Sequence, residues 1–311
     1  MKHKVFIDGS EGTTGLQIHE RLSERSDIEL LRIDSASRKD KEARRRFLNA
    51  ADIVFLCLPD DAARDSVSLI ENEKTRVIDA STAHRTLWTY GFPELSPQHR
   101  AEIKKARHVA NPGCHASGFV SIVYPLRAAD VLPRDAMLSC FSISGYSGAG
   151  KKAISQYESQ DRDPSFASPQ SYALEQNHKH IPEIAKICNL EIPPVFCPVI
   201  SDFYSGMATT VTLHAAQLKG SPGADEIFEI LSNHYKNQRF IKVTQKSETG
   251  KIAATTLCGT NNMTLYVCGN EKRISITSVF DNLGKGASGA AVQNMNLMLS
   301  LPEDAGLDKG E

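Results

Sequence analysis

Short continuous apolar runs alternate with polar, helically spaced stretches through the first third of the chain. Val5-Phe6-Ile7-Asp8 predicts a buried strand, and Leu16, Ile18 and Leu22 recur after it at helical spacing. Ile28 to Asp34 predicts a second strand and Lys41 to Ala50 a polar helix. Asp52 to Leu58 is apolar almost throughout, as a parallel strand buried on both faces requires. Ala62 to Glu71 then fits a helix that Asp60 or Asp61 can cap. Arg76 to Ala80 and His108 to Asn111 predict two further strands, and the apolar run Phe119 to Leu126 predicts a helix starting at or near Cys114. Strands and helices alternating at this pace predict a doubly wound parallel sheet, whose ligands bind outside the carboxyl ends of the strands.

Beyond about residue 130 the pattern changes. Ala136 to Ser144 alternates like a sheet with one covered face, and more strands are predicted at Val195–Ile200, Met207–Leu213 and Arg273–Val279. Ala224 to Tyr235 predicts a helix, whereas Gly145 to Lys152 and Asp161 to Gln170 read as loops. Pairing here is expected to be mainly antiparallel. A terminal helix, Ala290 to Leu301, carries Val292, Met295, Leu297, Met298 and Leu301 and is expected to return to the first domain. The predicted fold is therefore α/β: a Rossmann-type doubly wound sheet (residues 1–113 plus 285–311) with an inserted α+β substrate domain (residues 114–284).

Composition narrows the function classes. With 41% hydrophobic and 23% charged residues the chain can bury a good core. A net charge of −1 argues against nucleic acid or an anionic membrane as partner, and no apolar stretch approaches a bilayer span. Lys2-His3-Lys4 runs directly into the first strand, which leaves no room for a signal peptide. Seven cysteines, an odd number without a C-x-x-C pair, suit reduced thiols in the cytoplasm better than a disulfide framework. A small-molecule substrate is the expected partner, and a homo-oligomer is the common expectation.

Three stretches carry candidate chemistry. Gly9-Ser10-Glu11-Gly12-Thr13-Thr14-Gly15, between a strand and a helix, opens a dinucleotide-binding unit: its glycines admit a pyrophosphate to the backbone and to the helix N-terminus. At the end of the second strand two readings compete. Asp34 suits the ribose of NAD, whereas Ser37, Arg38 and Lys39 suit the 2′-phosphate of NADP, and these residues favour NADP. Ser81, Thr82, His84 and Arg85 follow the fourth strand on the same ligand edge. The second stretch is Asn111-Pro112-Gly113-Cys114-His115, where a turn sets a thiol at a helix start. Helix N-termini favour anions, so a thiol there becomes a thiolate nucleophile more readily. Cys57, Cys140, Cys258 and Cys268 lie in or beside apolar or β-like runs and read as structural. The third stretch, His178-Lys179-His180-Ile181-Pro182-Glu183, can supply a general acid or base. It lacks further ligands at metal-binding spacing, so no metal is expected.

These segments, in this order, resemble the short form of the N-acetyl-γ-glutamyl-phosphate reductases, within the semialdehyde dehydrogenase superfamily. The likeness rests on Phe6-Ile7-Asp8-Gly9 with Gly12 to Ile18, Cys57 to Ala63, Val77 to Arg85, Asn111 to Cys114, Ser144 to Gly148, His178 to Glu183 and Asp281 to Gly289. It implies a Rossmann domain with an inserted α+β domain, NADP as cofactor and Cys114 as nucleophile. On this model the Cys114 thiolate attacks an acyl phosphate and NADPH reduces the resulting thioester. His180 is the first choice for acid/base work and His178 the second. Beyond the glycine loop, Leu58, Pro59, Ser81, Ser147 and Gly148 are cofactor candidates, and Asn282 is expected on the nicotinamide carboxamide. Asn111, Arg85, Lys151 and Lys285 are the substrate or phosphate candidates. Two departures from the family pattern stand out. His115 occupies a place where an aromatic residue is more usual, and Gly284 one where a larger apolar residue is common. An aspartate-semialdehyde dehydrogenase or a non-catalytic NADP-binding regulator are the alternatives.

Overall fold

The strand β1 (His3–Asp8) sits between two parallel neighbours, β2 (Ile28–Leu31) and β3 (Ile53–Leu56). The computed structural model describes residues 2–245, 247 and 249–307. Around β1 it builds a parallel sheet that adds β4 (Arg76–Asp79), β5 (Thr89–Tyr90) and β6 (His108–Ala110) in the order β2-β1-β3-β4-β6-β5. The helices α1 (Thr13–Ser23), α2 (Lys41–Ala50), α3 (Asp60–Ser68) and α4 (Pro97–Lys105) connect the strands. All four residues of β3 are buried, as its unbroken apolar run predicts. Phe6, Leu48, Val54, Leu56, Ala63 and Val77 form the core on one face. The α/β, doubly wound expectation holds.

Local differences have local causes. β2 stops at Leu31, where its pairing with Phe6 ends, so Arg32 to Asp34 are not strand. Asp60 does not cap α3. Pro59 stands at the cap, and the Asp60 carboxylate instead accepts from Thr82 N at 2.9 Å, tying the loops after β3 and β4 together. α4 is an addition, marked by Pro97 in its first turn and by Ser96, which accepts from His99 N at 3.0 Å.

A second unit follows, Gly113–Gly286, while the described parts of Met1–Pro112 and Ala287–Asp308 make the first. It opens with α5 (Cys114–Ala128) and β7 (Ser139–Gly145), then α6 (Lys151–Tyr157), β8 (Gln170–Ser171), α7 (Ile181–Ile187), β9 (Val195–Ser201), β10 (Met207–His214) and α8 (Ala224–His234). β11 (Ile241–Thr244), β12 (Met263–Gly269) and β13 (Arg273–Phe280) complete a sheet ordered β11-β12-β13-β10-β7-β9-β8. β7 pairs with β9, and β11 with β12, in parallel; the other pairings are antiparallel. The supposed loop at Gly145–Lys152 is a turn followed by the start of α6, with Gly150 at φ +84° between them. α5 is buried nearly all round and lies tight on the sheet, because a side chain at Gly118 would meet Thr209 Oγ1 at 2.3 Å. The last helix among the described residues, α9 (Gly289–Met298), lies in the first unit, where Asn294 Nδ2 donates to Gly91 O at 2.8 Å and Asn296 accepts from Arg25 at 2.7 Å.

Candidate active site

The carboxyl ends of β1 and β3 meet at the glycine loop. Gly9 has φ +91°, and a side chain there would lie 2.3 Å from Cys57 O; one at Gly15 would lie 2.4 Å from Gly9 O. Both glycines are required by the fold itself. Gly12 differs, since the nearest protein atom to a Cβ there is 3.6 Å away. Gly12 is also the N-cap of α1, which has no side-chain cap and no acidic residue in its first turn. The N–H groups around Thr13 and Thr14 thus face an approach open to a phosphate, and this cradle fits a dinucleotide. Ser10 lies within the loop, and Leu58 closes its side, with a methyl 3.1 Å from the place of a Gly9 side chain; Pro59 follows it. After β2, Ser37 N donates to Asp34 O at 2.9 Å, closing a turn that carries Arg38 and Lys39. Arg38 pairs with Glu11 of the glycine loop, and both side chains are exposed.

Deeper at the β4 end, Asp79 is fully buried and accepts from Ser81 N and Ser81 Oγ, each at 2.8 Å; its carboxylate also meets His84 Nδ1 at 2.6 Å. Ser81 is therefore an internal brace of that turn. The His84 ring stacks on Trp88, which stacks in turn on His108. Arg85 is buried and donates to Asn111 O at 3.1 Å and Ala80 O at 3.2 Å, so it braces the ends of β4 and β6. Asn111 donates to Ala287 O at 2.9 Å and is itself buried.

In the second unit Cys114 is the first residue of α5, after Gly113 as N-cap, and no side chain caps the helix. Ser117 N to Gly113 O, at 2.8 Å, is the first bond of the helix. The turn before the thiol is pinned from α7, where buried Glu183 accepts from Gly113 N at 2.9 Å. Gly286 packs against Cys114 itself, since a side chain there would come 3.0 Å from Cys114 Cβ. His180 is the buried N-cap of α7; its N–H donates to His178 Nδ1 at 3.2 Å, and the two rings lie 4.7 Å apart, edge to face. The His-x-His segment thus packs against the first turn of α5 rather than forming a surface turn, because His115, the residue after Cys114, lies 5.7 Å from both rings.

His115 is buried between Ser142 Oγ (2.7 Å from Nδ1) and Tyr172 Oη (2.8 Å from Nε2). Burial, reinforced by the charges of His178 and Lys179, pushes its pKa down to about 3, so the ring is neutral. Burial first, and then the charge of Cys114, push the Tyr172 phenol up. Sequence reasoning missed Tyr172, Ser142 and Thr209. The only trace of Ser142 was a polar residue on the inward-facing beat of the alternation in β7.

Of the remaining candidates, Ser147 and Asn282 are buried together. Asn282 Nδ2 donates to Ser147 Oγ at 3.0 Å, and its Oδ1 accepts from Gly206 N at 2.8 Å. Gly148 lies against the same amide. Lys151 is exposed at the start of α6. Lys285 is buried with its ammonium 5.8 Å from the Phe240 ring centre, in the interior of the second unit. Among the described residues no His, Cys, Asp and Glu side chains gather as metal ligands, and no helix is long and apolar enough to cross a membrane.

Comparison with known proteins agrees with this division of labour. Residues 4–105 match the family model of the semialdehyde dehydrogenase NAD binding domain, and residues 114–282 that of the semialdehyde dehydrogenase dimerisation domain. A Brucella canis protein named N-acetyl-gamma-glutamyl-phosphate reductase is 46% identical over 96% of this chain and 99% of its own length. A Nostoc protein named N-acetyl-gamma-glutamyl-phosphate reductase 2 is 42% identical over 98% of this chain and 99% of its own. Among solved structures, aspartate semialdehyde dehydrogenase II of Vibrio cholerae shares the fold, with a TM-score of 0.72 at 18% identity over 96% of this chain and 99% of that one. The chain belongs to the semialdehyde dehydrogenase family and, within it, to the N-acetyl-γ-glutamyl-phosphate reductases.

Proposed function

We propose that the protein reduces N-acetyl-γ-glutamyl phosphate to N-acetylglutamate 5-semialdehyde and phosphate, a step of arginine biosynthesis, with NADPH as reductant. The observation that carries this reading is the thiol of Cys114 at the uncapped start of α5, between Gly113, whose N–H Glu183 holds, and His115, whose ring packs against those of His178 and His180. The Cys114 thiolate attacks the γ-carbonyl carbon, the bond from that carbon to the phosphate oxygen breaks, and a thioester to Cys114 remains. NADPH, when bound, supplies the hydride that reduces this thioester. The thiohemiacetal then expels the thiolate and leaves the aldehyde. Backbone N–H groups at the start of α5 face developing negative charge on the carbonyl oxygen. His180 takes the acid/base role. His178, whose Nδ1 is occupied as an acceptor, presents a hydrogen on Nε2 to the oxyanion.

The first unit would hold the dinucleotide, with the pyrophosphate on Gly9 to Gly15 and Leu58 and Pro59 beside it. Ser37, Arg38 and Lys39 would take the 2′-phosphate and so favour NADP over NAD. The exposed ion pair of Arg38 with Glu11 is of the kind worth about 0–1 kcal/mol, so a phosphate dianion displaces it readily. Ser147, Gly148 and Asn282 would meet the nicotinamide end as a preassembled patch, and Lys151 the leaving phosphate. We also propose a homodimer through the second sheet, whose exposed face carries Met137, Phe141 and Val195, and a cytoplasmic setting, in keeping with seven free cysteines.

The test is a panel of semialdehydes, those of N-acetylglutamate and aspartate included, with NADP and NAD and with and without phosphate. Phosphate-dependent reduction of NADP by N-acetylglutamate semialdehyde is expected. Preference for aspartate semialdehyde would replace this reading with the neighbouring enzyme class. Arg38→Ala should raise KM for NADPH roughly tenfold or more, as loss of a charge-assisted hydrogen bond does, and leave KM for NADH unchanged.

A further inference from the structure

Buried beside Cys114 is a row of four side chains with no assigned part in the reaction: Thr209 on β10, Ser142 on β7, His115 on α5 and Tyr172 after β8. Thr209 Oγ1 lies 2.8 Å from Ser142 Oγ, Ser142 Oγ 2.7 Å from His115 Nδ1, and His115 Nε2 2.8 Å from Tyr172 Oη. Thr209 and Ser142 are wholly buried and His115 nearly so. Each hydroxyl can either donate or accept, and the imidazole can carry its hydrogen on either nitrogen, so the row has two possible directions.

We infer that it runs one way, from Thr209 through Ser142 and His115 to Tyr172, and that this turns the Tyr172 hydroxyl hydrogen outward as a donor to the sulfur of Cys114 or to the carbonyl oxygen attached there. This rests on the reading of Cys114 as the nucleophile. The direction follows from the far end of the row. Ser142 Oγ is the hydrogen-bond partner of Thr209 Oγ1. If Thr209 accepted, its own buried O–H would lack an acceptor, and a buried unmade donor costs about 1–3 kcal/mol. If Thr209 donates, only lone pairs are left over. Ser142, accepting from Thr209, then gives its hydrogen to His115 Nδ1. A neutral imidazole has one N–H, so it must be on Nε2, and it points at Tyr172 Oη. Tyr172 accepts there and cannot donate back.

The groups around His115 support a fixed neutral ring. The rings of His178, His180, Tyr172 and Phe196 surround it, and Lys179 adds positive charge. The Tyr172 hydroxyl reaches the residue next to Cys114, 2.8 Å from His115 Nε2, and the charge of Cys114 adds to the upward push on the phenol. In the resting enzyme the outward hydrogen of Tyr172 would stabilise a thiolate. After attack it would stabilise the oxyanion. Tyr172 is then a catalytic residue, and His115, Ser142 and Thr209 are positioning residues that act through it. His115 replaces the usual aromatic residue with one that can orient a hydroxyl.

Histidine-selective ¹⁵N NMR of the full-length protein reads the tautomer directly and needs no substrate. A hydrogen on His115 Nε2 is expected; one on Nδ1 overturns the proposal. Thr209→Val removes the first donor and should populate both tautomers, whereas Thr209→Ser should keep the wild-type one. If both variants keep a single Nε2–H tautomer, Thr209 does not set the direction. His115→Phe should move the pH midpoint of iodoacetamide labelling at Cys114 upward. It should also lower kcat roughly tenfold, less than the 10²–10³ cost of deleting an oxyanion donor, at unchanged KM for the acyl substrate. An unmoved labelling profile in folded His115→Phe protein overturns the role of Tyr172. Tautomer and labelling report on the row even if the substrate panel were to reject the proposed substrate.

Discussion

Cys57 and Cys114 stand in similar places and face opposite chemistry. Each comes just past the carboxyl end of a parallel strand, Cys57 directly after β3 and Cys114 shortly after β6. Cys57 N still donates to Asp8 O at 2.8 Å, so its backbone belongs to the sheet and offers its thiol no helix N–H groups. Burial, and after it the carboxylates of Asp79 and Asp8, push that thiol up to about 12. Cys114 opens a helix whose first N–H groups have no intrahelical partner. The nearby carboxylate of Glu183 is occupied in accepting from Gly113 N. Both thiols follow a parallel strand, but only Cys114 stands at a helix start, the setting that favours a thiolate.

The largest expected effect is the loss of turnover in Cys114→Ala, measured by NADPH oxidation, while Cys57→Ser keeps most of it. Near-normal turnover in Cys114→Ala would remove the covalent step and with it the contrast. Labelling gives the same contrast without substrate. At pH 9 a thiol with a pKa of about 12 is only about one part in 10³ thiolate, so peptide mapping should find iodoacetamide on Cys114 and almost none on Cys57. The next effect concerns the partner of the thiol. His180→Ala should lower kcat by roughly 10²–10⁴, and a larger loss in His178→Ala would exchange the two roles.

How much of this was legible depended on whether neighbours in sequence or in space do the work. The glycine loop, the apolar run of β3 and Cys114 at its helix start are local features, and they stood in the sequence. So did His178 and His180, though not their packing against His115, which accompanies α7 folding back so that Glu183 reaches Gly113 N. Arg85, Asn111 and Lys285 carry the right chemistry for an anion, yet Arg85 and Asn111 are buried on backbone carbonyls and Lys285 lies over Phe240. Residue type records a capacity to bind charge, not the partner that already claims it. The row from Thr209 to Tyr172 joins two strands, a helix and the residue after β8, and no spacing in the sequence announces it.

A smaller effect tests whether the position of Cys114 matters as much as its helix. Gly286→Ala would place a methyl 3.0 Å from Cys114 Cβ and 3.1 Å from the Phe280 ring. One or both must yield by a few tenths of an ångström. Misplacement by a whole ångström can cost about 10²-fold, so a loss in kcat of several-fold is expected, with labelling of Cys114 nearly unchanged. If both kcat and labelling fell together, the substitution would have disturbed the helix start rather than the aim of the thiol.

The smallest effect separates burial from charge at Cys57. Burial is the leading cause of its raised pKa, Asp79 the second and Asp8 the third. Asp79 also holds Ser81 and His84, so replacing it would disturb the β4 turn. Asp8 is the cleaner probe. Asp8→Asn keeps an acceptor for Ser66 Oγ, now 2.8 Å away, and for Arg44, now 2.9 Å away, and removes only the charge. Relief of that repulsion should lower the Cys57 pKa and so raise its slow labelling rate at pH 9, by about threefold or less. The rate should be read beside a thermal melt, since Arg44 loses its ionic partner. An unchanged rate in folded protein would mean that the Asp8 charge plays no part in silencing Cys57. A rise well beyond threefold would mean that the two carboxylates, rather than the absence of a helix start, separate this thiol from Cys114.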